Sequence, residues 1–312
     1  MATAPFRRAK RLAMLLKPET VYSTDATPAA ADAIIGSNVS FTPLEGEEVR
    51  RDLLLPYLGN QGAIMTAEYG RVEFDVEIAG AGAAGTPPKW GPLLRTAGFA
   101  ATVTASTNVT YTIVEDSVES GTLYFVQDKV RHIFLGGQAN IALNLTAKQI
   151  PKFRVTYVGL LGTVSDVGSM PAVSMTGWTK PVPVSKANTV LTLHGWSAVA
   201  ESISLDVGNT LTPRHLIGDE RILIEDRQTT GTAVVEARSM GTIDWFARAR
   251  ASTRGALSLV HGATAGNIIE ISAPAVEIGK PGQGETNGVV NYSLPLRICP
   301  DAGRDEITII AR

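Results

Sequence analysis

The strongest constraint on the fold is that one order of sequence features occurs twice along the chain. Gly70 and Gly80 bracket a nine-residue segment, and Gly231 and Gly241 bracket another, with both glycine pairs offset by 161 positions. Further segments match in the same order: Val39–Phe41 with Ile203–Leu205, Phe74–Asp75 with Val235–Glu236, Trp90–Ala97 with Trp245–Ser252, Gly121–Val126 with Gly255–Val260, and Phe153–Gly159 with Tyr292–Ile298. Such an internal repeat predicts a duplicated structural unit.

Residues 71–78 alternate charged and apolar side chains, which predicts a half-buried strand. One face would carry Glu73, Asp75 and Glu77, and the other face would turn its apolar side chains towards the core. Other short strands are predicted at Asn38–Phe41, Leu123–Val126, Phe153–Val158, Ile203–Val207, Arg221–Glu225, Ile268–Ile271 and Ile307–Ile310. Helices are predicted only at Arg7–Lys17, Trp90–Ala97 and about Thr242–Ala251.

These patterns predict a mainly β protein with two tandem β-sandwich or half-barrel domains, each with one flanking α-helix. Residues 1–36 would form an N-terminal helix and arm, 37–165 the first domain, 166–188 a linker and 189–312 the second domain. The linker is punctuated by glycine and proline, and Pro181 and Pro183 bias it towards an extended backbone.

The composition favours a folded protein with a substantial core and no strong electrostatic pull on nucleic acid. Of 312 residues, 44% are hydrophobic and 19% are charged, which argues against disorder. The net charge of −2 supplies no basic field for gripping phosphates. Cys299 is alone, so no internal disulfide is expected. No apolar run approaches the roughly 20 residues of a membrane span, so no membrane anchor is expected.

No motif assembles a catalytic or cofactor site. Gly80–Gly85 matches a dinucleotide-binding fingerprint in letters, but Thr86-Pro87-Pro88 stands where a helix should begin. Gly195–Val199 begins like a nucleophile elbow and lacks its closing glycine. The four histidines are isolated and show no metal-ligand spacing. We therefore expect no enzyme, no cofactor and no metal.

Two long connections carry apolar and charged residues typical of binding elements. The first, 46–66, holds Arg50, Arg51, Leu53, Leu54, Tyr57 and Leu58. Its counterpart, 209–229, holds Arg214, His215, Leu216 and Ile217. We expect both to contact neighbouring subunits; the alternative is a loop folded over its own core.

Several segments resemble the tail tube proteins of long-tailed, siphovirus-type bacteriophages. They are Glu19–Pro28, Asn38–Glu47, Pro56–Gly59, Pro88–Phe99 and Gly303–Ile309. The resemblance implies a β-sandwich with a flanking helix, assembled into rings whose inner sheets join into a β-barrel around a channel. The rings stack into a tube that encloses a tape measure protein and later conducts DNA during ejection.

For a duplicated chain, the resemblance implies trimeric rings that are pseudo-hexamers. Further partners would be the tail terminator and the distal tail or baseplate proteins, with non-specific passage of DNA. The protein would reside in the virion tail after synthesis in the host cytoplasm. Glu73, Asp75, Glu77 and Glu236 are the candidates for lining the channel, where negative charge would repel phosphates. The alternative is a β-rich adhesin or binding module of a virion or cell surface, which would need an aromatic platform that four scattered tryptophans do not supply.

Overall fold

The computed structural model describes residues 6–312 and consists almost entirely of antiparallel strands. The first half, taken as residues 6–165, contains nine strands and one helix. They are β1 Leu12–Pro18, β2 Ala33–Ile34, β3 Gly36–Arg50, β4 Ala63–Glu77, helix α1 Gly91–Thr96, β5 Phe99–Thr104, β6 Asn108–Ile113, β7 Gly121–Gln127, β8 Val130–Thr146 and β9 Lys152–Asp166. The last residue of β9 lies one position beyond this range. A short 3-10 helix covers Ala30–Asp32.

The second half, residues 189–312, contains the remaining strands and one helix. They are β10 Thr189–Leu193, β11 Trp196–Ser197, β12 Ala200–Asp206, β13 Asn209–Leu216, β14 Asp219–Arg227, β15 Thr230–Glu236, α2 Trp245–Arg250, β16 Arg254–His261, β17 Ile269–Ile278, β18 Gly282–Thr286, β19 Val289–Cys299 and β20 Thr308–Ala311. The predicted fold class is confirmed: the chain is mainly β with two helices, and its large sheets do not close into a barrel within one chain.

The predicted helix at Arg7–Lys17 is wrong, because this segment contains strand β1. Its apolar residues 13–16 are buried on both faces: Met14 and Leu16 belong to the main core, and Leu15 packs with Ala33 and Tyr124. β1 pairs along its whole length with β7. A strand covered on both faces reads as a continuous apolar run, which periodicity alone does not distinguish from a helix. Residues 1–5 of the predicted N-terminal helix and arm lie outside the described residues.

The two halves pair their strands in the same order. In the first half the antiparallel order is β1–β7–β8–β9–β4–β3. In the second half it is β10–β16–β17–β19–β15–β12. Each helix occupies the same place, after β4 or β15 and before β7 or β16. Each also brings a fully buried tryptophan, Trp90 or Trp245, into the core between the strands.

The sequence-predicted connections 46–66 and 209–229 are hairpins rather than loops. β3 and β4 remain paired as far as Arg50 and Ala63, so only residues 51–62 form the tip of a long hairpin. β13 and β14 form a separate two-stranded sheet with a two-residue turn. The predicted strand Arg221–Glu225 is confirmed as part of β14. The other arms were missed because most of their side chains are exposed or half-buried, so they lack the one-sided burial that alternation reports.

The halves are joined through two further strand pairings. Residues 142–146 of β8 pair with residues 202–206 of β12. On the other side, β20 lies between β6 of the first half and β17 of the second half. One hydrophobic core cluster runs through both halves. The pairings therefore place strands from the two halves side by side in shared sheets.

Candidate assembly surfaces

The pairing between β8 and β12 creates an eight-stranded antiparallel sheet, which we call the long sheet. Its strand order is β3–β4–β9–β8–β12–β15–β19–β18, with four strands from each half. One face of this sheet packs on the core through residues such as Phe74, Phe153, Leu143 and Leu205. The opposite face is the candidate functional surface.

That opposite face, which we call the polar face, is formed by directly paired hydrophilic side chains. Since paired residues in neighbouring strands point to the same side, the register defines continuous rows across the sheet. One row runs Ser37–Asp75–Arg154–Ala142–Asp206–Thr230–Arg297, and another runs Glu77–Lys152–Asn144–Ser204–Thr232–Pro295. Serine, threonine and asparagine separate the charged groups, so the face is hydrophilic without being uniformly charged.

The acidic residues predicted on strand 71–78 lie on this face, while Val72, Phe74, Val76 and Ile78 are buried in the core. The carboxylates of Glu73 and Asp75 are paired with cations of the adjacent strand β9, and Glu77 lies directly opposite Lys152 in the register. Arg154 donates to Glu73 Oε2 at 2.7 Å and to Asp75 Oδ1 at 3.2 Å. Lys152 Nζ lies 3.9 Å from Asp75 Oδ2. On β15, Glu236 forms an ion pair of 3.0 Å with Arg238. Around Glu73 and Asp75 the polar face therefore carries mixed, paired charge rather than an unbroken negative wall, whereas Arg297 at its β19 end has no ion-pair partner within residues 6–312.

The pKa of Arg154 reflects this environment. Partial burial acts to lower the pKa of the guanidinium, but the hydrogen bonds to Glu73 and Asp75 outweigh burial and raise the pKa. The guanidinium is thus held as a permanent cation between two carboxylates. An arginine engaged in this way is a poor partner for a passing phosphate, because binding would require breaking both ion pairs.

A hydrogen-bond network spans the seam between β8 and β12. Asn140 Nδ2 donates to Asp206 Oδ1 at 2.9 Å, and Asn140 Oδ1 accepts from the backbone N–H of Asn209 at 2.9 Å. The buried Asn209 Nδ2 donates to the carbonyl oxygens of Ala97, just after α1, and Ala139 on β8. The seam thus fixes where the β13–β14 hairpin leaves the second half.

The long sheet ends in two edges that are unpaired within the part of the chain that the structure describes. β3 pairs only with β4, and β18 pairs only with β19. Every residue of β18 is exposed. An exposed edge presents backbone N–H and C=O groups that can pair with a strand of another chain. These two edges are therefore candidate assembly elements that the sequence did not reveal.

The hairpin tip of β3 and β4 carries the first set of sequence-predicted assembly residues. Arg50 ends β3, and the exposed Arg51 follows it. Leu53 is held by Gln61, whose side chain accepts from its N–H and donates to its carbonyl oxygen. Leu54 and Leu58 are fully exposed at 103% and 102%, and Tyr57 is 68% exposed. The tip does not fold over the chain's own core.

The second set lies at the far end of the β13–β14 hairpin. Arg214, His215 and Leu216 belong to β13, and Ile217 is fully exposed at the turn. His215 Nδ1 lies 3.5 Å from Glu220 Oε1 of the neighbouring strand β14. The two predicted sets are on different hairpins, and the structure does not bring them together within one chain.

The middle of the β13–β14 hairpin packs against the first half. Ile222, which is fully buried, forms a small apolar cluster with Val158 and Leu160 of β9, joined by Tyr69 and Leu211. The backbone N–H of Ile222 donates to the Tyr22 hydroxyl oxygen at 2.7 Å. Sequence reasoning missed Tyr22, because nothing near it in the chain indicates a partner 200 residues away.

Other site classes find no support in the described residues. Neither helix within 6–312 is long and apolar enough to cross a membrane. The same range holds no group of three or more His, Cys, Asp or Glu side chains placed to bind a metal ion.

Comparison with known proteins identifies the family. A search of curated proteins found no match. The family model described as phage tail tube protein matches residues 9–297, which is nearly the whole chain. With its paired β-rich halves and hydrophilic sheet face, the chain therefore belongs to the phage tail tube protein family and is a structural, non-enzymatic component of the virion tail.

Proposed function

We propose that three copies of this chain close into a ring, that the rings stack into the tail tube, and that the polar face lines the channel through which DNA leaves the virion. Membership of the tail tube family accounts for assembly into a tube with other tail proteins. The long sheet, with four strands from each half and two free edges, is the observation that carries the ring proposal.

The seam inside the chain provides a template for the contact between chains. Within the chain, the end of β8 pairs with β12. β18 corresponds to the end of β8, because β18 lies beside β19 as the end of β8 lies beside β9. In the same way β3 corresponds to β12, because β3 lies beside β4 as β12 lies beside β15. Repeating the seam would pair β18 of one chain with β3 of the next chain. A heterologous contact of this kind closes a ring and removes both free edges.

The repeated strand order supports two copies of one structural unit per chain, so that three chains would supply six similar units. We assign 189–312 to the second unit, 166–188 to the linker, and 37–165 together with strand β1, the counterpart of β10, to the first unit. Residues 167–188 contain neither helix nor strand.

The chemistry of the polar face suits transport of DNA without retention. DNA binding requires cations that are free to replace counterions at phosphates. Arg154 and Lys152 instead face the carboxylates of Glu73 and Asp75, and small hydroxyl side chains occupy much of the remaining surface. The tape measure protein, the tail terminator and the distal tail or baseplate proteins are the expected partners of the channel and of the two tube ends.

Electron cryomicroscopy of tubes assembled from the purified protein tests this proposal. We expect three chains in each ring, pairing of β18 with β3 of the neighbouring chain, and Asp75, Arg154 and Asp206 facing the channel. Six chains in each ring, or a polar face directed outward, would contradict it.

A further inference from the structure

We propose that a groove on the second half receives the β3–β4 hairpin arm of a second copy of this chain. The arm comprises residues 44–50 and 63–68, and the groove lies between α2 and the connection from β17 to β18. This inference rests on the proposed ring, and it names the acceptor surface for a hairpin whose tip residues Leu54, Tyr57 and Leu58 are exposed.

The groove has a volume of about 650 Å³ and is lined by Phe246, Ala249, Arg250, Ser252, Ile278, Gly279, Lys280, Pro281 and Arg297. Its floor is apolar, since Ile278 is buried and Phe246 is half-buried. Its rim is basic, with Arg250, Lys280 and Arg297 all exposed. Within residues 6–312, none of these three cations has an ion-pair partner.

The matching position on the first half is already filled by the other hairpin. There, Asn209 at the start of β13 hydrogen-bonds to the carbonyl oxygens of Ala97, which follows α1, and Ala139 on β8. In the second half, α2 corresponds to α1, and β17 together with β18 corresponds to β8 in strand order. The end of α2 therefore stands where Ala97 stands, and the β17–β18 connection stands where Ala139 of β8 stands. The groove is thus the counterpart of an occupied docking position.

The occupied docking position on the first half is apolar, whereas the groove on the second half is basic. In the occupied case, Leu211 and Ile222 of the hairpin meet Val158 and Leu160 of β9, which is an apolar contact. If Gly70 matches Gly231, the register places Pro295 and Arg297 of β19 where β9 has Val158 and Leu160. The β3–β4 arm carries exposed Glu47 and Glu48, which have no ion-pair partner within residues 6–312. An acidic arm therefore faces a basic groove, as charge complementarity between two copies requires.

The arm also departs from regular strand geometry. Its register is broken between Thr42 and Glu45 and again between Glu45 and Glu47, and irregularities of this kind bend a strand. The second hairpin bends at the corresponding point, where Gly208 adopts a positive φ of 72° between β12 and β13. Val49 and Ile64, which are exposed and directly paired, give the arm an apolar contact for the groove floor.

Crosslinking of assembled tubes tests the inference. In a Cys299→Ser background, Glu47→Cys and Arg297→Cys are combined, and tubes are treated with a short bis-maleimide. We expect covalent species of more than one chain on denaturing gels. Chains carrying only one of the two cysteines should remain monomeric. A matched control combines Glu220→Cys with Arg297→Cys; its hairpin is docked on its own chain, so it should give no such species.

The outcomes separate this inference from the proposed ring. Normal tubes without crosslinked chains would overturn the docking of the arm and leave the ring intact, whereas absence of tubes from the unmodified protein would overturn both. A charge exchange gives a second measurement. Glu47→Arg and Arg297→Glu should each raise the protein concentration needed for tube formation several-fold, and their combination should restore it. Failure of the pair to rescue assembly would contradict the proposed contact.

Discussion

Asn140 and Asp206 are joined by a hydrogen bond of 2.9 Å that crosses from a strand of the first half to a strand of the second half. The other side-chain atom of Asn140 accepts from the backbone N–H of Asn209. One amide therefore serves both a carboxylate and a backbone group at the seam on which we model the contact between chains.

Asn140→Ala should destabilise the monomer by about 1–3 kcal/mol, because it leaves the partly buried N–H of Asn209 without its acceptor and removes one of the two donors to Asp206 Oδ1, the other being the N–H of Gly208. Urea denaturation of the unassembled chain measures the loss. Asp206→Asn is the matched control, since it retains the acceptor oxygen and should cost less. Equal stability of Asn140→Ala and the unmodified chain would show that water replaces the network.

Leu54→Asp should block tube formation while leaving a folded monomer. Leu54 is fully exposed at the hairpin tip, so the charge costs nothing in the isolated chain, whereas full burial of a leucine in a contact contributes about 1.5–3 kcal/mol. Electron microscopy and circular dichroism measure the two properties. Leu54→Met keeps the apolar surface and should assemble normally. Tubes of ordinary length from Leu54→Asp would remove the tip from the assembly contacts.

Glu73→Cys in a Cys299→Ser background should report the orientation of the polar face. In assembled tubes, a small maleimide that enters through the open ends should label the channel wall, but a maleimide carried on a large protein should not. Val190→Cys is the control, since Val190 is exposed on β10, which pairs with β16 and is not one of the strands of the long sheet. Labelling of Glu73→Cys by the large reagent would place this face outside the tube.

Three buried histidines should make the monomer less stable in mild acid. Burial lowers the pKa of His132, with the charge of Arg7 acting in the same direction. Burial also lowers the pKa of His194, against the hydrogen bond to Val276 and together with the charge of Arg248. Burial lowers the pKa of His261 as well, against the hydrogen bond to Val182. The unfolded chain therefore binds more protons than the folded chain once the pH falls below the ordinary histidine pKa of about 6.5.

The free energy of unfolding of the monomer should accordingly decrease between about pH 7 and pH 5. Denaturation at several pH values measures this slope. His261→Gln removes one of the three groups and should give a shallower slope, whatever its effect at neutral pH. A flat profile for the unmodified chain would mean that these histidines titrate in the folded state as freely as in the unfolded state.

How far the sequence predicts this fold depends on whether one face of a segment is buried. Strand 71–78 was predictable because its charged and apolar residues alternate. Residues 12–16 were misassigned because both faces are covered, and the β3–β4 arm was missed because both of its faces are largely exposed. The pairing of Arg154 with Glu73 and Asp75 depends on long-range strand register, which no local pattern encodes.

Strand β20 has a consequence for the timing of folding in the infected cell. It fills the space between β6 and β17, so β6 keeps an open edge until residues 308–311 have left the ribosome. Folding of such long-range sheets is slow, and it requires both partners to be present. A chain that lacks residues 308–311 therefore cannot complete the sheet that joins the two halves.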